Sequence, residues 1–478
     1  MSNNWRTVPL SEIADINPRL GKNILSDDSL YTFVPMASVG AADGRIDVST
    51  KRPYVEVKKG FTSFQSGDVL FAKITPCMEN GKMAVVPDLE NHYGFGSTEF
   101  HVIRPKDGID PKYVYYFVSS SDFRREAGHN MTGAVGQKRV PTDFLKQSLI
   151  PLPPTPEDQK RIVAEIEKQF SRLDEAVASL KRIQANLKRY KAAVLKAAVE
   201  GKLTEQWRKD HPNVEPADQL LKRILAERRA KWEAEELAKM KAKGIKPKDD
   251  SWKKKYKEPV GPDTANLPEL PELPEGWVWT RLGSLPVDVF DGPFGSNLKS
   301  TDYVSSGVRV IRLENIGSSG FIDGKESFIT EQKYEQLKKH KVGHGDIIFS
   351  SFVANETRVV MLPGHIKKAI NKADCFCVRI NDEAINKRYI ETFLATRTAY
   401  EQLVGEVHGA TRPRINTTQL KDCHVSMSSL AEQNEIVSEI DRRLSVTEEL
   451  ETTIETNLKR AERLRQTILQ RAFSGGLV

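Results

Sequence analysis

Hydrophobic residues recur every seven positions between Pro156 and Leu203. One heptad position holds Ile166, Leu173, Leu180, Leu187 and Val194, and a neighbouring one holds Ile162, Ala176, Ile183, Tyr190 and Ala197. A repeat of seven that persists over more than four heptads predicts a long helix with an apolar seam, as in a coiled coil. At 1.5 Å per residue this helix would be roughly 70 Å long.

The same stretch occurs again from Leu430 to Leu477, and the two copies align without a gap. Gln159 matches Gln433, and Leu203 matches Leu477 at the far end. The repeating unit, counted from one copy to the next, is more than half of the chain. The sequence therefore predicts a duplicated pair of domains and not a solenoid of many short repeats.

The second copy has the weaker seam. One of its heptad positions reads Ile440, Thr447, Ile454, Ala461 and Ile468, and the other includes Arg443, Asn457 and Arg471. Such a helix would pair poorly with a copy of itself, so we expect each long helix to pack on the other within the chain. The alternative is two amphipathic helices that lie on separate cores.

Strand patterns dominate the region before each long helix. In the first region they include VLFAKI, which follows Gly67-Asp68, and STEFHVIRP, and a helix begins at Asp110-Pro111. In the second region IIFSSF follows Gly345-Asp346, and ADCFCVRI takes the place of STEFHVIRP. Cys375 and Cys377 alternate in that run, so we expect both side chains on one face of a strand.

These patterns predict an α+β fold, with two homologous globular domains separated by two long helices packed as an antiparallel coiled coil. We place the first domain at 1–153, the central helix at 154–203, the second domain at 273–429 and the C-terminal helix at 430–478. Residues 204–272 form a charged helical linker that ends in a Pro-rich tether. This linker has eight lysines between Lys241 and Lys257. The run favours a solvated, mobile linker, and an arm that contacts phosphates or a partner is the alternative.

The charge balance is basic, with 72 Lys and Arg against 65 Asp and Glu and a net charge of +7. This excess suggests a polyanionic partner without establishing one. The four cysteines lack CxxC spacing and are expected to be reduced thiols. The sequence has neither a signal-peptide pattern nor an apolar run long enough to span a membrane, so we expect a cytoplasmic protein.

The motifs of catalysis are missing from the sequence. It contains neither GxGxxG nor a Walker A sequence, and His340 and His344 lie in a stretch without a helical pattern. DGPFG, from Asp291 to Gly295, faintly resembles the acidic-Pro-Pro-aromatic motif of amino-methyltransferases, but Gly292 replaces the first proline and we interpret the motif as a turn. The sequence therefore predicts recognition rather than catalysis, with no catalytic, cofactor or metal residue in this chain.

Two loops in each domain carry side chains that suit DNA. Asn and Gln can pair with adenine and Arg with guanine, while Lys, Ser and Thr commonly bind phosphates. Any single one of these residues is better explained as part of an ordinary polar loop, and the signal is that both domains place them in the same two loops. The candidates are Lys73, Thr75, Asn80, Lys82, Gln137, Lys138 and Arg139 in the first domain, and Ser350, Ser351, Asn355, Thr357, Arg358, Arg412 and Arg414 in the second.

At this point the chain resembles the DNA specificity subunit of Type I restriction–modification systems. The resemblance covers essentially the whole chain, and its combination of two variable domains with two repeated helices is highly specific. The motifs that carry it are PLPPTPEDQKRIVAEIE, AVLKAAVEGKLTEQWR and LPEGW, together with LAEQNEIVSEID and ILQRAFSGGL in the second copy.

The resemblance implies a subunit without catalysis of its own. Each domain would be a target recognition domain that reads one half of a bipartite site in double-stranded DNA, and the helices would set the spacing and dock modification subunits, two of them in the expected assembly. S-adenosylmethionine would bind to the modification subunits, and ATP and Mg would act in the restriction subunits. A rod of roughly 70 Å would cover at most about 20 base pairs at 3.4 Å each. A protein-binding coiled-coil scaffold and a stand-alone DNA methyltransferase are the competing hypotheses.

Overall fold

The structure is a computed structural model that describes residues 5–20, 28–134, 136–247, 249–262, 270–317, 320–324, 326–404 and 413–477. The chain divides into two units, one formed by 1–183 with 453–478 and the other by 184–452. Each unit contains one globular domain and a part of both long helices. Because the division passes through both helices, the domain limits drawn from the sequence stay a prediction.

Within its described residues, the first globular domain has ten strands and five short α-helices. The strands are β1 (Arg6–Pro9), β2 (Ala14–Ile16), β3 (Leu30–Val34), β4 (Lys51–Pro53), β5 (Thr62–Gln65), β6 (Val69–Ala72), β7 (Met83–Val85), β8 (Tyr93–Gly96), β9 (Phe100–Pro105) and β10 (Leu149–Leu152). The helices are α1 (Leu10–Ile13), α2 (Tyr54–Val57), α3 (Pro111–Ser119), α4 (Ser121–His129) and α5 (Thr142–Gln147).

Both long helices have 44 residues, and the linker between the domains adds two more helices. The first long helix is α6 (Pro156–Val199), and the linker contains α7 (Glu205–Asp210), α8 (Ala217–Ala242) and a 3-10 helix at Asp250–Lys255. The strands of the second domain are β11 (Val278–Arg281), β12 (Val287–Phe290), β13 (Tyr303–Val304), β14 (Val308–Ile311), β15 (Phe328–Ile329), β16 (Lys341–Val342), β17 (Ile347–Ser350), β18 (Val359–Met361), β19 (Ala369–Asn371), β20 (Cys375–Ile380) and β21 (His424–Met427). Its helices are α9 (Glu331–Gln336), α10 (Lys387–Leu394), α11 (Arg397–Val404) and α12 (Thr417–Asp422), and the second long helix is α13 (Leu430–Phe473).

The sheets show that the two domains share one topology. The order β2-β9-β6-β7 in the first domain corresponds to β12-β20-β17-β18 in the second, and all these neighbours are antiparallel. A second sheet is built in each domain around a parallel pair, β3 with β8 and β14 with β19. The duplicated α+β fold predicted from the sequence is confirmed by this topology.

Polar contacts are repeated together with the strands. The hydroxyl of Tyr113 donates to the carbonyl oxygen of Pro151 at 2.7 Å, and that of Tyr389 donates to the carbonyl oxygen of Ser426 at 2.8 Å. Both tyrosines are fully buried. Their bonds tie the first helix of each pair, α3 or α10, to the strand that leads into a long helix.

Within the first unit, the start of α6 packs beside the end of α13. Ile162 and Ile166 share a core with Ile468 and Leu469, and Arg465 donates to Asp174 at 2.6 Å. Because the first turns of one helix meet the last turns of the other, the two helices are antiparallel in this unit. The second unit pairs the end of α6 with the start of α13 in the same way, in a core whose helix residues are Val194, Ala198, Val199, Ile436, Ile440 and Leu444.

In the second copy, one heptad position is buried along the whole of α13. Its seam residues Ile440, Thr447, Ile454, Ala461 and Ile468 are each no more than 9% exposed. In α6 the seam from Ile166 to Val194 is buried or half-buried, whereas Ile183 and Tyr190, assigned to the neighbouring seam, are about half exposed. The middle of α6 therefore packs along one heptad position rather than two.

Part of the Lys-rich segment of the linker packs on α8. The Trp252 side chain, on the 3-10 helix, is buried and stacks on Trp232 of α8, with ring centroids 6.0 Å apart. Tyr256 also contacts Trp232, and Arg229 lies over the Tyr256 ring. The aromatic residues between the lysines explain this packing, because they give the charged segment an apolar surface to bury.

The buried carboxylate of Glu432 connects the second domain to the long helices through hydrogen bonds and an ion pair. Glu432 of α13 is 2% exposed and accepts hydrogen bonds from the Trp277 indole at 2.9 Å and from the Thr204 hydroxyl at 2.7 Å, and it pairs with the guanidinium of Arg208. Trp277 belongs to LPEGW, and Thr204 and Arg208 belong to EGKLTEQWR. The motifs that carry the family resemblance therefore meet at one structural junction.

Candidate nucleic-acid interface

In the first domain the structure brings together the two loops that were predicted to bind DNA. The backbones of Ile74 and Arg139 form a bridge, and Thr75 accepts from the Lys138 amide at its hydroxyl oxygen, 3.2 Å away. Asn80, Gln137 and Lys138 are exposed. The two loops thus form one continuous polar surface at the end of β6.

Arg139 and Lys82 already have partners in the protein. Arg139 donates to both carboxylate oxygens of Glu99, at 2.9 and 2.8 Å, and to the carbonyl oxygen of Gln137 at 3.1 Å. These hydrogen bonds from Arg139 hold the pKa of the Glu99 carboxyl below its usual range, so Glu99 is ionised at neutral pH. Lys82 donates to the carbonyl oxygen of Met36 at 3.0 Å.

Glu99 lies between the two loops. Its carbonyl oxygen accepts from the Lys73 amide at 2.9 Å, and the carbonyl oxygen of Lys73 accepts from the Val140 amide at 2.9 Å. The ammonium of Lys73 also lowers the pKa of the Glu99 carboxyl through its charge. We refer to Lys73, Glu99 and Arg139 as the acid–arginine cluster of the first domain.

The second domain has the same cluster, formed by Ser351, Asp374 and Arg414. The carbonyl oxygen of Asp374 accepts from the Ser351 amide at 3.0 Å, and the carbonyl oxygen of Ser351 accepts from the Ile415 amide at 3.0 Å. The Ser351 hydroxyl donates to the Asp374 carboxylate at 3.1 Å, and Arg414 lies 3.6 Å from the same carboxylate. Phe352 and Arg414 form the backbone bridge between the loops.

The remaining predicted residues of the second domain divide into exposed and buried ones. Asn355 is exposed, whereas Ser350, Ser351 and Thr357 are buried. The Thr357 hydroxyl donates to the carbonyl oxygen of Leu394 at 2.7 Å, and Arg358 donates to the Ser350 hydroxyl at 3.3 Å. Thr357 and Arg358 are therefore bonded to groups of the protein itself. Arg412 lies outside the described residues.

A second carboxylate lies close to Asp374. Asp291, the first residue of DGPFG, accepts from the Gly292 amide at 2.7 Å, and burial raises the pKa of its carboxyl to about 6, with a smaller contribution from the charge of Asp374. A Cβ on Gly292 would lie 2.1 Å from the backbone of Lys372. DGPFG is therefore a turn that packs tightly against the segment before Asp374, in agreement with the sequence interpretation.

A buried histidine supports the first-domain loops. Both ring nitrogens of His101, on β9, form hydrogen bonds. Nε2 bonds to the carbonyl oxygen of Val140 at 2.8 Å, and Nδ1 bonds to the side-chain amide nitrogen of Asn17 at 3.0 Å. Burial, more than any other influence, lowers the pKa of its imidazole. The neutral ring thus donates at Nε2 and accepts at Nδ1, which fixes the backbone position next to Arg139.

Glu99 and Asp374 were not among the residues predicted from the sequence, although each lies beside a predicted arginine. The alignment of STEF with ADCF hides the relationship, because it places Glu99 opposite Cys375 and Asp374 one position earlier. The strand pairing makes the two acids equivalent, since Phe100 faces Ala72 and Cys375 faces Ser350. In the part of the chain that the structure describes, no group of three or more His, Cys, Asp and Glu side chains is placed to hold a metal ion. Among the described helices, none combines the length and the apolar character needed to cross a lipid bilayer.

Comparisons with known proteins identify the family of the chain. Residues 2–189 and 295–460 match the family model described as Type I restriction modification DNA specificity domain. The EcoAI specificity subunit of Escherichia coli is 30% identical over 503 residues, which cover 95% of this chain and 79% of that protein. The EcoEI specificity subunit of the same species is 27% identical, with 95% and 80% covered.

A solved structure described as showing complex assembly and conformational transition of the type I R-M system has the same fold. Its TM-score is 0.63 at 19% sequence identity, and the match covers 99% of this chain and 98% of that one. The family model covers most of the chain, and the EcoAI relative is covered over more than two thirds of its length. The chain therefore belongs to the Type I restriction–modification DNA specificity family, and its role is to specify the DNA target.

Proposed function

We propose that each globular domain reads one half of a bipartite site in double-stranded DNA, through the two loops that meet at its acid–arginine cluster. The observation that supports this most directly is the repetition of that cluster. Both domains join the same two loops by a backbone bridge and place an arginine beside an acid there. Two equivalent sites with different side chains suit two different half-sites.

The first experiment is to map adenine methylation across the host genome with and without this gene. We expect a motif of two half-sites with a fixed gap, which disappears when the gene is deleted. Arg139→Ala and Arg414→Ala should then each alter one half of the motif and leave the other half unchanged. If deletion removes no methylated motif, or if neither substitution changes the motif, the proposal is wrong.

The long helices would set the distance between the half-sites. Removing one heptad from both α6 and α13 keeps the seam in register and shortens the pair by about 10.5 Å, or about three base pairs. We expect the gap in the methylated motif to become shorter while both half-sites stay the same. An unchanged gap would contradict this role of the helices.

We also propose that the helices dock two modification subunits and that the chain has no catalysis of its own. S-adenosylmethionine would bind to the modification subunits, ATP and Mg to the restriction subunits, and the complex would act in the cytoplasm. In the second unit the helices expose Tyr190, Val446 and Leu450, an apolar surface of the kind that subunit interfaces cover. Val446→Asp should weaken co-purification with the modification subunit. The control Glu449→Asp, at another exposed position of α13, should not. Native mass spectrometry of the complex would count the modification subunits.

A further inference from the structure

We propose that Arg139 and Arg414 read base edges rather than phosphates, and that Glu99 and Asp374 are positioning residues that hold these arginines for that task. The inference rests on the proposed function and deepens it, because it assigns different tasks to neighbouring residues of one loop. In the first domain, Arg139 would read a base while Lys138 would bind a phosphate.

The first reason to assign Arg139 to a base edge is the number of guanidinium N–H groups that its partners in the protein leave over. A guanidinium has five N–H groups in a fixed plane. Two of them point to the Glu99 carboxylate and one to the carbonyl oxygen of Gln137. Two N–H groups therefore remain, which is the number needed for a bidentate contact with O6 and N7 of guanine in the major groove.

The second reason is that the carboxylate of Glu99 neutralises the positive charge of Arg139. A phosphate contact gains most of its free energy from the attraction of a net positive charge and from the release of counterions. The carboxylate of Glu99 cancels the charge of Arg139 at a distance of 2.8 Å. What remains of Arg139 is mainly a directional hydrogen-bond donor, which suits a base edge. Lys138 is exposed and is the cation of this loop that fits a phosphate.

The third reason is that backbone hydrogen bonds fix the position of Glu99. Lys73 donates from its amide to Glu99, and the residue after Arg139 donates from its amide to Lys73. Arg139 itself forms backbone bridges with Ile74 and Thr132. The pair is therefore organised before DNA binds, so little side-chain entropy is lost when the contact forms.

The second domain holds its arginine more loosely. Arg414 lies 3.6 Å from the Asp374 carboxylate, and its guanidinium also lies over the Phe352 ring, 4.5 Å from the ring centroid. Asp374 accepts from the Ser351 hydroxyl as well. Because the ring keeps Arg414 in place when the carboxylate is neutralised, we expect Asp374 to contribute less than Glu99 does.

The experiment uses the complete chain in complex with its modification subunits and two duplexes, one with the methylated motif and one without it. Affinity is measured over a series of salt concentrations for the wild type and for Glu99→Gln, Arg139→Ala and Lys138→Ala. For Glu99→Gln we expect tighter binding to the non-target duplex, a salt slope steeper by about 0.9, and roughly tenfold poorer discrimination. Lys138→Ala should weaken binding to both duplexes and reduce the slope by about 0.9.

Arg139→Ala leaves Glu99 as an unpaired anion and should therefore also weaken binding to both duplexes. The double variant Glu99→Gln/Arg139→Ala keeps the net charge, so it should lose discrimination at the first half-site while the non-target salt slope stays the same. Glu90→Gln is the matched control, because it removes the same charge and frees Lys51 on the same domain, outside the two loops. It should leave discrimination unchanged. Recognition of the second half-site by every first-domain variant serves as the test of correct folding, and Glu99→Asp should restore part of the lost discrimination.

The results separate this inference from the proposed function. If Arg139→Ala lowers discrimination but Glu99→Gln equals the wild type, the inference fails and the proposed function stands. If the double variant Glu99→Gln/Arg139→Ala reduces binding to both duplexes equally and flattens the salt slope, Arg139 binds a phosphate and the inference is overturned. If no loop variant affects either duplex, the proposed function itself fails.

Discussion

Asp68 and Arg104 are joined by two hydrogen bonds of 2.8 Å, although Asp68 lies in the turn before β6 and Arg104 lies on β9. Asp68 is 1% exposed and also accepts from the Gln65 amide at 2.8 Å. Asp346 and Arg379 form the same pair in the second domain, at 2.9 and 2.7 Å. The duplication has therefore preserved a buried charge pair together with the Gly-Asp turn before β6 and β17.

We predict that Asp68→Asn destabilises the first domain by about 3 kcal/mol, because it leaves the charge of Arg104 without its partner in a mostly buried place. Hydrogen exchange of β6 and β9 would measure the effect. The exposed pair Lys51–Glu90 provides the control, since Glu90→Gln should leave this exchange unchanged. Equal protection in Asp68→Asn and wild type would show that the pair contributes nothing to stability.

The junction at Glu432 gives a second prediction. Glu432→Ala removes the acceptor of Trp277, Thr204 and Arg208 at once, and should cost about 3–4 kcal/mol, whereas Glu432→Gln keeps one oxygen acceptor and should cost less. Faster hydrogen exchange in 273–281 and 201–208 would report the loss. The exposed-face control Glu449→Ala should behave like the wild type. The prediction is contradicted if Glu432→Ala exchanges no faster than that control.

The duplication and the long helices were predictable because they depend on spacing. Every seventh residue from Ile440 to Ile468 is buried, as the heptad required, even though Thr447 and Ala461 interrupt the apolar seam. Gly67-Asp68 and Gly345-Asp346 also marked equivalent strands correctly. Local patterns of this kind are sufficient for fold class, because each element is specified by its own sequence.

The details of the site were less predictable because they depend on contacts between distant residues. Thr357 looks like a phosphate-binding residue in the sequence, but its hydroxyl is buried against the carbonyl oxygen of Leu394. Glu99 gave no signal, since nothing in the sequence near Arg139 shows that the two meet. Charge dominates the composition of the Lys-rich linker, so the contact between Trp232 and Trp252 was not predicted.

The buried imidazole of His101 predicts that acid destabilises the first domain. Its pKa is lowered in the folded state, so the unfolded chain takes up the proton first, near an ordinary pKa of about 6.5. The stability that the neutral ring contributes is therefore complete above that pH and is lost as pH falls through about 6.5 toward the folded-state pKa. His101→Gln should flatten this part of the stability–pH profile, whereas the exposed control His129→Gln should keep it. A wild-type profile that does not decline below pH 6.5 would contradict the prediction.

Asp291 predicts the opposite pH dependence in the second domain. Its folded-state pKa of about 6 lies above the ordinary value of 3.8, so the protonated carboxyl is the form that folding favours. Its contribution to stability is complete below pH 3.8 and is lost as pH rises through about 6. Asp291→Asn replaces the carboxylate with a neutral group of the same shape and should stabilise the second domain at pH 8 by about 1–2 kcal/mol, after allowance for partial exposure.

The same substitution should have little effect at pH 4, where the native carboxyl is already largely protonated. Hydrogen exchange of β17 and β20 at the two pH values would measure the difference, and Asp441→Asn, on an exposed part of α13, serves as the control. A gain in stability that is equal at both pH values would mean that the asparagine acts through packing and not through charge. A loss at pH 8 would show that the ionised carboxylate stabilises the turn, because its hydrogen bond to Gly292 would then outweigh the cost of burial.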